Sequence, residues 1–179
     1  MFMSLIQKRR SIRKFQPKAL EPEKIEALVE AALRAPTSRG LQPWQFVVVE
    51  DPQLLAKLAQ TKEHGSSFLK GAALAFVICA DPTQSDVWVE DTAIAATFIQ
   101  LAAEHLELSS CWSQIRLRPH NASQTAQAYL CEILQIPKHL EIDALIAIGY
   151  PAEGKAGHSA ASLPYDKVHR NLYGKAFRS

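Results

Sequence analysis

The chain lacks the sequence patterns of the commonest catalytic and nucleotide-binding sites. Its seven glycines form neither a GxGxxG nor a GxxxxGKS/T phosphate loop. No GxSxG nucleophile elbow is present, and the six histidines show neither HxH nor HExxH spacing. We therefore predict no metal ligands and no catalytic acid, base or nucleophile. A chain of this kind favours chemistry that is supplied by a bound cofactor.

Cysteine content, charge and hydropathy restrict the class of protein further. Cys79, Cys111 and Cys131 are odd in number and far apart, which argues against a disulfide framework. A net charge of +2 is too small for a general nucleic-acid binder. No apolar run is long enough to span a bilayer, and Pro17 argues against a helical presequence at the arginine-containing start. We expect one domain over 1–179 in the cytoplasm, with no membrane or nucleic-acid partner.

Apolar periodicity and proline positions predict alternating helices and strands. The predicted helices cover 4–10, 22–35, 52–60, 86–106 and 123–134, and the predicted strands cover 46–49, 73–80, 108–115 and 141–150. Residues 62–70 read as a loop or lid with a short helical turn. This alternation indicates one layered α/β or α+β domain.

The predicted helix over 86–106 is apolar nearly all round, with alanine, isoleucine, leucine and phenylalanine on every side. Such a helix is buried on all sides. Because the chain is small, we expect a second subunit to cover one of those sides.

The most charged stretch is Arg9-Arg10-Ser11-Ile12-Arg13-Lys14-Phe15, and no acid occurs anywhere in residues 1–20. Arginine offers planar, paired donors that stay charged at any working pH, so a cluster of this kind suits phosphate oxygens. The stretch therefore predicts an anion site.

A second stretch, APTSRGLQPWQF over 35–46, joins a helix to a buried strand and is rich in hydroxyl and backbone N–H groups. It could hydrogen-bond the edge of a flat heteroaromatic ring. Equally, it could be a plain connection with Trp44 packed in the core, and the physical pattern alone favours that interpretation.

Together, RRSIRKF and APTSRGLQPWQF resemble the nitroreductase family of FMN-dependent oxidoreductases. LELSSCWSQIR and LQIPKHLEIDALIAIGYPAEGK agree, so the resemblance covers nearly the whole chain. It implies an α+β, three-layer fold with a central mixed β-sheet between helices. It also implies an intertwined homodimer with FMN at the subunit interface, and ping-pong transfer of two electrons from NADH or NADPH to small acceptors such as nitroaromatics, quinones or enones.

The same resemblance implies roles for individual residues. Arg9 and Ser11 would hold the FMN phosphate with Arg10 close by, and Arg13 would reach the N1/O2 edge of the flavin. Residues of the loop and of the third strand would lie along the ring: Pro36, Thr37, Ser38, Cys111, Trp112, Ser113 and Gln114. Gln42 would lie where the second subunit contributes contacts. For Cys111 and Trp112, a buried strand end is nearly as good an interpretation.

Some positions depart from the family pattern. Gly40 stands where many members carry asparagine, and Gly65 or Ser66 would replace an asparagine that touches the flavin. Lys155 or His158 would replace the basic residue that completes the phosphate site. Arg116 and Arg118 either meet the 2′-phosphate of NADPH or are simply solvated.

Other functions stay open. One is a reductase specific for a single metabolite, for example a dehalogenating enzyme. Another is a flavin-binding carrier or sensor with little turnover, and a third is a basic nucleic-acid module.

Overall fold

The computed structural model describes residues 2–178 and has an α+β fold. Its helices are α1 (Phe2–Lys8), α2 (Pro22–Leu33), α3 (Pro52–Leu58), α4 (Trp88–His105) and α5 (Ala126–Leu134). Its strands are β1 (Trp44–Val49), β2 (Leu74–Ala80), β3 (Ser109–Gln114) and β4 (Glu141–Gly149). Short 3₁₀ turns cover Ser38–Gly40 and Ser67–Gly71, with two more at 160–162 and 165–167.

The four strands form one sheet in the order β1-β2-β4-β3, and every neighbouring pair is antiparallel. The expectation of a mixed sheet is therefore wrong for these strands. Parallel pairing within residues 2–178 is limited to a single bridge between Ser11 and Ser110. Only one bridge forms there because the backbone turns away from β3 after Ile12, toward the end of β4.

The sheet is covered on both faces, which confirms the three-layer expectation. Alternate residues of β2 point to opposite faces: Phe76 and Ile78 join a cluster with α2 and α4. Val77 and Cys79 join a second cluster with α3 and α5. All seven residues of β2 are buried, as a strand between two helical layers must be.

Local signals explain where several helices begin. Pro22 and Pro52 occupy first turns, and the Asp51 carboxylate accepts a hydrogen bond from the N–H of Leu54. Helix α5 begins at Ala126 and not near Ser123, because the Thr125 side chain caps it.

Helix α4 is not buried on every side in the single chain. Ala95, Ala96 and Ile99 are fully buried, whereas Ile94 and Phe98 are 37% and 38% exposed. The single chain thus leaves one side of α4 uncovered, and the expectation that a second subunit covers it stays a prediction. Elsewhere, Leu172 and Tyr173 of the C-terminal segment are 67% and 93% exposed.

Within residues 2–178, no helix combines the length and apolarity needed to cross a membrane.

Candidate functional site

The basic stretch lies against the start of β3 and the segment that follows β4. The N–H of Ile12 donates to the carbonyl of Ser110 at 3.1 Å, and the N–H of Gln16 donates to that of Tyr150 at 2.8 Å. Phe15 covers Gly149 so closely that a Cβ on this glycine would lie 3.0 Å from the phenyl ring. The stretch is therefore a fixed part of the domain.

The three arginines of this stretch have different surroundings. Arg10 donates from Nη1 to the carbonyl of Ala156, so it fastens the segment after β4. Within residues 2–178, no carboxylate lies within 4.0 Å of the Arg9 or Arg13 guanidinium. Guanidinium groups without an acidic partner suit an anionic ligand.

Glu153 and Lys155, which follow the Gly149-Tyr150-Pro151 turn, also contact the basic stretch. The N–H of Arg13 donates to Oε1 of Glu153 at 2.7 Å, and this bond together with Lys155 lowers the pKa of that carboxyl. Lys155 lies 3.1 Å from the same oxygen and donates to the carbonyl of Ser11 at 3.1 Å. Both candidates for the missing basic residue lie beside the cluster, since His158 lines a groove with Arg9.

β3 is an edge strand, and among residues 2–178 no segment pairs with its outer side beyond Ser110. The Ser110 carbonyl faces outward toward Ile12. Because backbone groups alternate sides along a strand, those of Trp112 and Gln114 face the same way. The N–H and C=O groups along this edge could hydrogen-bond a planar ligand.

The side chains of β3 are largely committed within the chain. Burial raises the pKa of the Cys111 thiol, which argues against a nucleophile, although the charges of Arg13 and Lys155 oppose that shift. Ser113 donates to the carbonyl of Gly65 at 3.1 Å. Of the two candidates for the missing asparagine, buried Ser66 bonds the carbonyl of Ala59, so exposed Gly65 is the better placed.

Gln114 holds a small internal network. Its Oε1 accepts from the Trp112 indole at 2.9 Å, and its Nε2 donates to the carbonyl of Asp143 at 3.2 Å. Asp143 is buried, and this burial raises the pKa of its carboxyl. A ligand would thus meet the backbone of Gln114 and not its side chain.

The second stretch forms a tightly folded loop after α2. Arg39, Gly40 and Gln42 all have positive φ, of 55°, 68° and 50°. The Thr37 hydroxyl accepts from the N–H of Gln42 at 3.1 Å, and the N–H of Ser38 donates to Oδ1 of Asp91 at 2.8 Å. The loop is therefore shaped by its own contacts and anchored to the first turn of α4.

The two stretches do not meet within one chain. Lys8 pairs with Glu104 in the last turn of α4 at 3.5 Å, whereas Ser38 is bonded to Asp91 in its first turn. These positions are thirteen residues apart, which is about 20 Å along a helix. The structure thus places residues 9–13 beside β3, which contains residues 111–114. Residues 36–42 lie instead at the start of α4.

Sequence reasoning missed two acids that organise these groups, Asp91 and Glu153. Asp91 is buried and accepts from both Ser38 and Ser85. A buried acid on an apolar helix was a usable signal, because such a carboxylate needs partners. Glu153 carried no comparable signal, since it lies in an irregular segment after β4.

The α+β domain thus carries a site with arginines that lack acidic partners and with an open strand edge. Such a site suits a flat, anionic ligand.

The chain belongs to the nitroreductase family: the model described as "Nitroreductase family" matches residues 6–64 and 60–150. A solved FMN-dependent nitroreductase from Clostridium difficile is 43% identical, with a TM-score of 0.94 over 96% of this chain and 99% of that one.

Two relatives extend the comparison. A protein of Archaeoglobus fulgidus, provisionally named an NADH dehydrogenase/NAD(P)H nitroreductase, is 34% identical over 176 residues, 96% of this chain and 98% of its own. An iodotyrosine deiodinase of Haliscomenobacter hydrossis is 31% identical over 179 residues, 82% of this chain and 77% of its own.

Proposed function

We propose that this chain is an FMN-dependent oxidoreductase that transfers two electrons from NAD(P)H to electron-poor acceptors such as nitroaromatics, quinones or enones. The observation that carries this proposal is the basic stretch itself: the Ile12–Ser110 bond holds it against β3, and within residues 2–178 its Arg9 and Arg13 guanidiniums have no acidic partner. The likeness to the FMN-dependent enzyme of Clostridium difficile, at 43% identity, supports it.

The residues present fit FMN. In our proposal Arg9 and Ser11 bind its phosphate, and Arg10 supports them by fixing the segment at Ala156. Arg13 faces the N1/O2 edge of the ring, where a fixed positive charge favours the negative charge of the reduced form. Bound there, FMN would supply two-electron redox chemistry between NAD(P)H and the acceptor.

The backbone of 111–114 contributes the open strand edge in this arrangement. The loop residues Pro36, Thr37, Ser38 and Gln42 contribute from a second subunit, because their own loop is anchored about 20 Å along α4 from the basic stretch. The proposed site is therefore incomplete in one chain.

A homodimer also accounts for the apolar surface of the single chain. Ile94 and Phe98 on α4, and Leu172 and Tyr173 in the C-terminal segment, are large apolar side chains that remain exposed. Exposed apolar patches of this kind mark protein interfaces. We propose that they are covered by a second copy of the chain, with FMN at the interface.

The first test is colour. The purified protein should be yellow and release FMN on acid denaturation, and a colourless preparation that cannot be reconstituted with FMN would contradict the proposal. Anaerobic mixing with NADH and with NADPH should then bleach the flavin on the timescale of turnover. A yellow protein that bleaches far more slowly would be a carrier or sensor.

The second test concerns the acceptor. For a ping-pong scheme, initial rates at several acceptor concentrations should give parallel double-reciprocal lines; intersecting lines would exclude that scheme. The deiodinase relative makes a narrower reaction a specific alternative. Turnover with a halogenated phenol far above that with nitroaromatics and quinones would favour that alternative.

A further inference from the structure

A groove of about 680 Å³ opens where the chain leaves β3, and the proposed flavin contacts do not use it. Its walls include an indole, two arginines, an amide and one carboxylate, from Trp88, Arg116, Arg118, Gln127 and Glu141. The Arg116 guanidinium lies over the Trp88 ring, 5.7 Å from its centroid. The groove thus combines a flat cation–aromatic surface with positive charge.

The cations around this groove lack acidic partners. Within residues 2–178, no carboxylate oxygen lies within 4.0 Å of the charged nitrogens of Lys62, Arg116 or Arg118. Glu141 is the acid in the groove wall, and the Asp143 carboxylate is bonded to Thr92 at 3.1 Å.

Lys62 does not line the groove, but it lies close enough to Arg118 that the charge of Arg118, after burial, lowers the pKa of the Lys62 ammonium. Like charges held together without an acid are unfavourable until an anion binds between them.

The groove continues from the proposed flavin contacts. Ser113 donates to the carbonyl of Gly65, and a Cβ placed on Gly65 would lie 3.6 Å from Nζ of Lys62. On the other side, Gln114 contacts the carbonyl of Arg116 at 3.5 Å. Lys62 and Arg116 therefore lie next to residues that contact the end of β3.

We propose that this groove binds the adenosine 2′-phosphate end of NADPH, so that the protein prefers NADPH to NADH. The two guanidiniums of the groove, with Lys62 close to Arg118, suit a phosphate monoester, which carries close to two negative charges at neutral pH. The guanidinium and indole surfaces suit a purine ring. Of the two donors, only NADPH carries a phosphate monoester. This inference rests on the proposed function, because it takes NAD(P)H as the donor.

Binding without turnover gives the most direct test. Isothermal titration calorimetry on the FMN-loaded protein should show 2′,5′-ADP binding at least about tenfold more tightly than 5′-ADP, since a hydrogen bond to a charged group contributes about that factor. Arg118→Ala should abolish the difference, and Arg118→Lys should keep part of it. Arg34→Ala, which removes an exposed arginine just after α2 that pairs with Glu30, is the matched control and should change nothing.

Steady-state kinetics should agree. Arg118→Ala should raise KM for NADPH about tenfold and leave KM for NADH within about twofold. Equal binding of the two ADP isomers, or an equal effect of Arg118→Ala on both donors, would overturn the inference. If neither donor bleached the flavin, the proposed function would fail, and the calorimetry would still decide whether the groove selects the 2′-phosphate.

Discussion

The backbone N–H of Ser38 donates to Oδ1 of Asp91 across 2.8 Å, joining a surface loop to the first turn of α4. The other carboxylate oxygen of Asp91 accepts from the Ser85 hydroxyl at 3.0 Å. One buried side chain thus holds two separate segments in place. The conformation of the proposed flavin loop depends on this acid.

Asp91→Ala should therefore loosen the loop and lower stability. It leaves two donors without an acceptor, at a cost of about 1–3 kcal/mol in the free energy of unfolding. Urea denaturation measures this loss, and FMN should bind more weakly in the same variant. Asp86→Ala, which removes an exposed ion pair with Arg39, should cost less than about 1 kcal/mol. Equal losses in the two variants would contradict the anchoring role of Asp91.

Arg13→Ala should preserve the fold and weaken flavin binding. The side chain is exposed, and its guanidinium lies 6.0 Å from the Phe68 ring centroid. Loss of a charge-assisted hydrogen bond predicts a Kd for FMN that is about 10–100-fold higher, measured by fluorescence titration of the flavin. Reduction by NAD(P)H should slow as well. Lys14→Ala removes the neighbouring charge and should change neither the Kd for FMN nor the rate of flavin reduction. Full flavin occupancy with normal reduction in Arg13→Ala would refute the assigned role.

Phe98→Glu should dissociate the proposed dimer. In the single chain this ring is 38% exposed, so a carboxylate there would be tolerated by a monomer. Buried against a second subunit, the unpaired charge would be strongly unfavourable. Sedimentation equilibrium should show a dimer for the unmodified protein and a folded monomer with little FMN for Phe98→Glu. Lys57→Glu on α3 should remain dimeric, and a dimeric, yellow Phe98→Glu protein would place the interface elsewhere.

The cluster around Tyr150 predicts a pH effect. Tyr150 donates to Oε2 of Glu21 at 2.5 Å, and this bond, with help from Lys18, lowers the pKa of Glu21 from its ordinary 4.5 to about 2. A depressed folded-state pKa contributes stability above the unfolded value, and that stability is lost as the pH falls from about 4.5 toward 2.

An NMR titration of the Glu21 carboxyl in the wild type and in Tyr150→Phe tests this relationship. The midpoint should rise toward the ordinary value in the variant, and the difference in unfolding free energy between the two proteins should shrink as the pH falls to about 2. Asp81, whose pKa is lowered by hydrogen bonds from Thr83, is the internal control, and its titration midpoint should be the same in both proteins. An unchanged Glu21 midpoint would show that Tyr150 is not the main cause.

Much of the secondary structure could be predicted because its signals are local. The continuous apolar run over 144–148 indicated a buried strand, and it is the fully buried centre of β4. Asp51-Pro52 indicated a capped helix, and the carboxylate does accept from Leu54. These predictions succeeded because caps, proline positions and apolar periodicity act within a few residues of one another.

The candidate site could be predicted only as separate stretches. The resemblance to the family assigned Arg9, Ser11 and Arg13 to one group and Pro36 to Gln42 to another, and those assignments stay predictions. The sequence did not show that the Gln114 side chain is hydrogen-bonded to Trp112 and to Asp143, because these bonds join residues of two different strands.

By itself, then, the amino-acid sequence determined the elements, the layered class and the places where charge and hydroxyl groups concentrate. Tertiary structure alone decided the strand order β1-β2-β4-β3, the antiparallel pairing, and the bond between Ile12 and Ser110 that sets the basic stretch beside β3. It also decided that Phe98 faces outward and that the loop and the basic stretch lie at opposite ends of α4. The physical reason is that strand pairing and helix packing join residues far apart in the chain, and no local pattern states which partner each one meets.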